Sequence, residues 1–296
     1  MFPEHFTFHV AEQVNNFVDW LLNSYAPVFD AISTGILTML LRINEILLMV
    51  PWWLYMIIVF VVLFTTTKKL IASLTLAILP LLIGAFELWA LAMESLAVVL
   101  TAVIISLLIG IPMGILMAEI NSFAVVIRPI LDGMQTMPSF VYLIPAMMLF
   151  GLGKVPAVLA TLIYSLPPVI RLTNMGLRHV PKNIEEAALA YGATKWQLLK
   201  EVRIPLAMPS ILTGVNQTTM MALAMVVVAS MIGARGLGQE VLLSINRIDI
   251  GRGFEAGLSV VVMAIVIDRV TQSIAKKWEP PQVRIIGKLL FKSFFL

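Results

Sequence analysis

The residue types that carry covalent or metal chemistry are scarce in this chain and poorly placed for it. Cysteine is absent, and the histidines are His5, His9 and His179. Without thiols there is no disulfide, no thiolate nucleophile and no cysteine-ligated metal. His5 and His9 stand four apart in a polar stretch, with no H-E-x-x-H pattern, and read as solvated side chains. An activated serine needs a base within hydrogen-bond reach, and no histidine falls in an apolar segment. The runs GLGKV (151–155) and GARGLGQ (233–239) invite a phosphate-loop reading. That loop requires G-x-x-x-x-G-K-[ST], whereas Lys154 is followed by Val155, so turn glycines explain both runs. The expectation is a chain that is no enzyme, with no cofactor or metal of its own.

Two polar blocks set in apolar sequence remain. The first, VNQTTMM (215–221), places Asn216, Gln217, Thr218 and Thr219 in a strongly apolar segment. Polar residues at membrane depth face protein or a water-filled cavity rather than lipid. Bonding to a neighbouring helix and lining a solute path fit this block equally well. Met147, Met148, Met221 and Met225 add polarizable, adaptable side chains. Tyr142 and Tyr164 offer ring faces to a cation, or anchor the membrane interface. The expected path set is Tyr164, Asn216, Gln217, Thr219 and Met221. The second block, EEAALAYGATKWQLLKEVRIP (185–205), reads like the surface of a soluble protein.

The elements that must position these blocks are membrane helices. Apolar residues make up 60% of the chain and charged residues 12%, with a mean hydropathy of +0.97. Several runs approach the roughly 20 residues that cross a bilayer, and the ten-residue alternation of a β-barrel is missing. Seven spans are expected near 48–66, 70–89, 94–117, 137–152, 155–171, 210–232 and 256–272. Pro167-Pro168 is expected to break the fifth. Before the spans, Val10, Val14, Phe17 and Leu21 recur at helical spacing, and Arg42, Asn44 and Glu45 interrupt the next apolar run. Residues 1–46 are therefore read as an amphipathic segment lying in the interface. They lack the basic start and apolar centre of a cleaved signal peptide. In the tail, 273–296, Arg284, Lys288 and Lys292 are evenly spaced beside an apolar side. Lys and Arg divide 15 to 5 between the two sides of this topology, accounting for all 20. The rule that cytoplasmic loops are basic places the N-terminus outside, and the C-terminus with the 183–205 loop in the cytoplasm.

Residues 171–205 carry nine charges, Arg171, Arg178, Lys182, Glu185, Glu186, Lys195, Lys200, Glu201 and Arg203. Burying nine charges at the bilayer centre would cost on the order of 25 kcal/mol, so the segment lies outside the hydrocarbon. Asn183 with Glu186, and Thr194 with Gln197, have the spacing of capping boxes. Gly192 suits a left-handed turn between two helices, and Pro205 is expected to stop the second. Trp196, Leu199 and Val202 share one face, while Ala187, Ala188 and Ala190 make the first helix slim. A DNA-reading helix-turn-helix also has a glycine-broken helix pair. A segment tethered to membrane at both ends and mixing acid with base does not suit nucleic acid.

Glu186-Ala187-Ala188-Leu189-Ala190-Tyr191-Gly192, nine further residues, and Val202-Arg203-Ile204-Pro205 resemble the E-A-A-x₃-G-x₉-I-x-L-P loop of ABC importer permeases. Val202 stands for Ile and Ile204 for Leu. The segments at 131–158, 164–181, 214–241 and 264–272 resemble the glycine betaine/proline betaine branch of that family. The resemblance implies an all-α, type I ABC importer permease fold in a bacterial or archaeal plasma membrane. Two accessory helices (47–93) would precede a permease core (94–272) holding the coupling loop at 183–205. It also implies a coupling helix seated in a groove of a dimeric ATPase that binds ATP and Mg, with Glu186, Ala187, Ala188, Gly192, Trp196 and Pro205 at the contact. A second permease copy and a solute-binding protein, read as a separate chain because this one ends soon after its last span, would complete the assembly. The substrate would be a compatible solute such as glycine betaine, choline or proline betaine. An ion-coupled carrier is the rival, but it calls for charged midplane residues, and Glu87, Glu94 and Asp268 fall near span ends.

Overall fold

The computed structural model describes residues 11–277, and all regular structure among them is helical. In chain order the helices are α1 (Ala11–Met49), α2 (Trp52–Thr67), α3 (Leu70–Ile78), α4 (Leu81–Ala85), α5 (Trp89–Glu119), α6 (Asn121–Thr136), α7 (Leu143–Phe150), α8 (Lys154–Arg178) and α9 (Lys182–Ala190). Then come α10 (Lys195–Gln197), α11 (Ile204–Ser230), α12 (Leu237–Arg247) and α13 (Ile250–Lys277). The readings made for His5, His9, Arg284, Lys288 and Lys292 lie outside the described residues.

The bundle is organised around α5, α8 and α11. In a membrane, lipid tails are as apolar as leucine, so helices associate through close packing of small residues. Gly110 and Gly114 lie one turn apart on α5, against α8. A methyl group at Gly114 would sit 2.6 Å from Thr173 Cβ and 2.8 Å from the Ile170 carbonyl. Gly176 of α8 accepts Ser210 of α11 in the same way, and Gly214 of α11 meets the backbone of Val169. Ser106 and Ser165 share a buried hydrogen bond of 3.2 Å between α5 and α8. α13 packs on α11 and α2, and α12 folds across the end of the bundle where α11 finishes.

Five helices are long and apolar enough to cross a membrane: Ala11–Met49, Trp89–Glu119, Lys154–Arg178, Lys195–Ser230 and Ile250–Ala275. The expected spans 94–117, 155–171, 210–232 and 256–272 correspond to four of them, each helix starting earlier than the hydropathy suggests. The other three expected spans correspond to shorter apolar helices. α2 has 16 residues, about 24 Å of helix. The 70–89 run is divided at Pro80 into α3 and α4. The 137–152 run is a 3-10 turn, Ser139–Tyr142, followed by the eight-residue α7. Pro138 and the glycines 151 and 153 bracket that run, and an apolar average does not register such punctuation. Pro167 and Pro168 do not break α8, which is continuous through both. They are buried there, so neighbouring helices hold the turn that two missing amides weaken.

α1 kinks at Tyr25 (φ −122°, ψ 20°), two residues before Pro27. Its partners run from the end of the bundle opposite the 183–205 loop to the middle of α5. Phe29 meets Phe150 edge-on at 5.5 Å, Ile36 and Leu40 are buried with Val98 and Val155, and Leu47 packs with Ile83 and Leu88.

Candidate coupling surface

The polar block folds as its spacing suggests in one half and differently in the other. Gly192 takes φ +86° after α9, and the Ala193 amide donates back to the Ala188 carbonyl at 3.1 Å. Few residues tolerate that left-handed geometry, and glycine does so without strain. Thr194 and Gln197 form the expected capping box. The Gln197 amide donates to Thr194 Oγ1 at 3.3 Å, and the Thr194 amide to Gln197 Oε1 at 2.9 Å. The box expected from Asn183 and Glu186 is absent. The chain turns into α9 from Pro181, whose carbonyl accepts the Ile184 amide at 3.0 Å, so Asn183 already lies inside the first turn. Nor does Pro205 end a helix. α10 widens into a π-helical stretch, Leu198–Arg203, and runs on as α11, with Pro205 in its first turn. A proline lacks the amide that closes an α turn, and the wider turn absorbs that loss, joining the loop rigidly to a long helix.

Arg203 straps this loop to the bundle, and Arg178 ties together the helix ends beside it. Arg203, with only 14% of its side chain exposed, pairs with Glu119 at the end of α5 and, at 3.1 Å through Nε, with Glu185 of α9. It also donates to the Leu177 carbonyl of α8 at 3.4 Å. Arg178 donates to Asn174 Oδ1 at 2.9 Å, the Met117 carbonyl at 2.7 Å and Asn121 Oδ1 at 2.8 Å, joining α8, α5 and α6. Charge-assisted hydrogen bonds such as that of Arg203 to Glu119 are about twice as strong as neutral ones, while Arg203 and Glu185 meet as an ion pair without hydrogen-bond geometry. A displacement of α9 therefore reaches α5, α8 and α11 together.

The outward side of the loop is left open. Tyr191 is 95% exposed and Trp196 67%, with Ile184 and Leu189 also exposed and Ala187 and Ala188 between them. Glu186 is exposed and Glu185 carries the ion pair. Leu199, in contrast, packs inward with Leu177, Ala207 and Ile211. A patch with two large aromatics flanked by charge has the composition of a protein interface.

The expected path residues divide. Asn216 Nδ2 donates to Asp268 Oδ1 at 3.2 Å, and Thr271 Oγ1 donates to Asn216 Oδ1, so Asn216 bonds α11 to α13. Thr219 is buried and donates to the Val215 carbonyl at 2.8 Å. Gln217 is exposed on another side of α11, in line with Thr213 and Ala224, and Met221 is half-buried. Tyr164 lies 6.5 Å from Tyr142, and both pack beside Met225 and Met147.

The far end of the bundle is tied differently. The Gly153 amide donates to the Ile232 carbonyl at 2.8 Å and the Leu237 amide to Ser95 Oγ at 2.8 Å. Lys154 pairs with Glu94 at 3.2 Å, and Arg252 with Glu255 at 3.1 Å and the Phe86 carbonyl at 3.1 Å.

Residues 110–280, which hold the loop, both arginines and the path residues, match the model of the binding-protein-dependent transport system inner membrane component family. The chain belongs to this family. This permease is 43% identical over 259 residues to the glycine betaine/proline betaine transport system permease protein ProW of Escherichia coli (strain K12), covering 88% of this chain and 73% of that one. It is 41% identical over 276 residues to the glycine betaine/carnitine transport permease protein GbuB of Listeria monocytogenes, covering 92% and 97%. In three dimensions it is similar to a chain of the MetNI methionine ABC transporter in an inward-facing conformation, with a TM-score of 0.58 at 19% identity over 63% of this chain and 94% of the other. That likeness shows the fold, the type I ABC importer permease fold. The permease is a multi-pass component of the inner membrane.

Sequence reasoning counted Arg178 and Arg203 only as loop charges. Their signal was nonetheless present. Arg178 ends α8 and Arg203 directly precedes the apolar run of α11, and at such borders an arginine reaches carbonyls and carboxylates of neighbouring helix ends.

Proposed function

We propose that this permease is the membrane subunit of an ATP-driven importer of a compatible solute, glycine betaine or a related quaternary ammonium compound such as choline or proline betaine. The observation that carries this reading is the loop itself, open and aromatic on its outward side yet strapped by Arg203 to α5, α8 and α9. An ATPase dimer, binding ATP and Mg, would seat Glu186, Ala187, Ala188, Gly192 and Trp196 in a groove, with Pro205 setting the π-helical joint behind them. A solute-binding protein would deliver substrate at the other end. The charge division supports a cytoplasmic loop and C-terminus and an outside N-terminus, and α1 would then lie along the outer surface.

A second copy of the chain completes the assembly. Gln217, exposed on α11 at membrane depth, is costly against lipid but not against a partner or a water-filled cavity. The solutes in the two relatives' names, glycine betaine, proline betaine and carnitine, all join a methylated ammonium to a carboxylate. Tyr142 and Tyr164 with Met147 and Met225 offer such an ammonium the ring faces and polarizable sulfur it favours.

The test is uptake in proteoliposomes holding the permease, its ATPase and its binding protein. Labelled glycine betaine should accumulate only with ATP, and unlabelled proline betaine or choline should compete. Accumulation driven by a proton or sodium gradient without ATP would show an ion-coupled carrier. ATP-driven uptake of an amino acid with no response to betaine would show a different substrate class.

A further inference from the structure

The two accessory helices that precede the core leave a cavity of about 160 Å³ between α2, α3 and α13. It lies at the loop end of the bundle. α13 begins at the far end, where Arg252 meets Phe86, passes Asn216 of α11 at Asp268, and reaches this cavity with Arg269, Gln272 and Ser273. From the other side come Thr67 and Lys69, flanking the turn in which Lys68 takes φ +55°.

The lining has two parts. At the mouth are the cations Lys69 and Arg269, both exposed. Among the described residues the nearest carboxylate to Arg269 is Asp268 at 4.0 Å, which Gln272 Nε2 already engages at 2.7 and 2.9 Å. Beside them stand the hydroxyls of Thr67 and Ser73, 3.4 Å apart, with the Ser73 hydroxyl donating to the Lys69 carbonyl. Leu63, Leu76 and the exposed Ala72 make an apolar wall. It continues on α3 into Leu70, Ile71 and Leu74, all exposed along the bundle's surface.

We propose that this cavity binds the headgroup of an anionic phospholipid. A phosphate ester is the chemistry that two cations at a membrane edge recognise. Free inorganic phosphate shares that chemistry, but the apolar wall rising from the cavity gives an acyl chain a place that a free ion does not use. The site also touches the core, because Gln272 lines it and holds Asp268, which accepts from Asn216 of α11. Lys69 and Arg269 are positioned to recognise the headgroup, and Gln272 reports its presence to the helix that carries the coupling loop.

The experiment is native mass spectrometry of the detergent-purified, delipidated transporter titrated with short-chain phosphatidylglycerol, phosphatidylcholine or sodium phosphate. One phosphatidylglycerol per permease chain should bind well ahead of phosphatidylcholine. Near an anionic surface each cation contributes roughly five-fold, so K69Q/R269Q should weaken phosphatidylglycerol binding about thirty-fold. K69R should restore most of the single-site loss, and the distant control K195Q should bind as the parent does. Equal binding of the two lipids, or unchanged phosphatidylglycerol binding by K69Q/R269Q, would overturn the site. Displacement of the lipid by millimolar phosphate, with phosphate alone saturating the site, would show a free-anion site instead and overturn the lipid assignment. A thermal melt of K69Q/R269Q in the same detergent guards against misfolding, and a normal melt with lost lipid binding supports the proposal.

Discussion

The two ends of the bundle differ in their backbone ties and in the surface they leave open. At the far end, the Gly153 amide meets Ile232, the Leu237 amide meets Ser95 and a Cβ at Gly238 would fall 2.3 Å from the Val226 carbonyl, while Lys154 pairs with Glu94 and Arg252 with Glu255. At the loop end, two arginines reach across four helices, and the aromatic surface beyond them is uncovered. Backbone ties fix spacing and leave little room to adjust. Long side chains with several partners allow one element to move while the connection persists. Under the proposed function, force would enter at the loop end and the far end would answer.

Four tests would break or sharpen that contrast. The largest effect is expected on the open surface. Interface aromatics of this kind each contribute about 2 kcal/mol or more to association, so Tyr191→Ala with Trp196→Ala should weaken retention of the ATPase by at least roughly 30-fold. Co-purification measures this, and the permease's own thermal melt should be unchanged. Next comes Gly238→Val at the far end. Its side chain would press on the backbone of Val226 and Val227, and overpacking of this sort costs about 1–3 kcal/mol. The melt should fall while ATPase retention stays normal, the reverse of the first result.

Gly192→Val is expected to be milder in stability, because nothing lies within 4 Å of its Cβ position and the cost is the left-handed backbone alone, about 1–2 kcal/mol. The ATPase should still bind, and hydrolysis stimulated by the loaded binding protein should drop several-fold. The smallest contrast is within α11. Asn216→Leu should lower the melt by about 0.6 kcal/mol, the mean for a hydrogen bond between membrane helices. Gln217→Leu should leave the melt alone and reduce uptake. Equal behaviour of the two in both assays would remove the distinction between an inter-helix bond and a path residue.

Much of this was legible in the sequence because it rests on local rules. Gly192 and the Thr194–Gln197 box are short-range features whose residue types fit few conformations. The long helices were legible from apolar length. The remainder depends on partners distant in the chain. Whether Asn216 turns to α13 or to a cavity is settled by Asp268, 52 residues away, and Arg203 acquires its role from Glu119, 84 residues away. Pro205 misled for a related reason. A proline forbids a local hydrogen bond, but a π-helical turn satisfies that restriction while the helix runs on, and the buried side of Leu199 and Ala207 rewards continuation. The short segment at 137–152 shows the same limit from another side, since its apolar average conceals a proline and glycines that cut it to eight helical residues.

The most direct test of the coupling account is Arg203→Ala in the reconstituted assembly, with ATP hydrolysis and glycine betaine uptake followed in the same vesicles. Removing Arg203 leaves the partly buried Glu185 and the exposed Glu119 without their shared cation, while Tyr191, Trp196 and the rest of the docking surface are untouched. The account expects the ATPase to remain bound and to hydrolyse at its basal rate. Stimulation by loaded binding protein should be lost, and uptake should fall at least about ten-fold, the effect of a 1.4 kcal/mol loss in coupling. Full stimulation and normal uptake by Arg203→Ala would contradict it, and the loop would then be a connector whose straps carry no stroke.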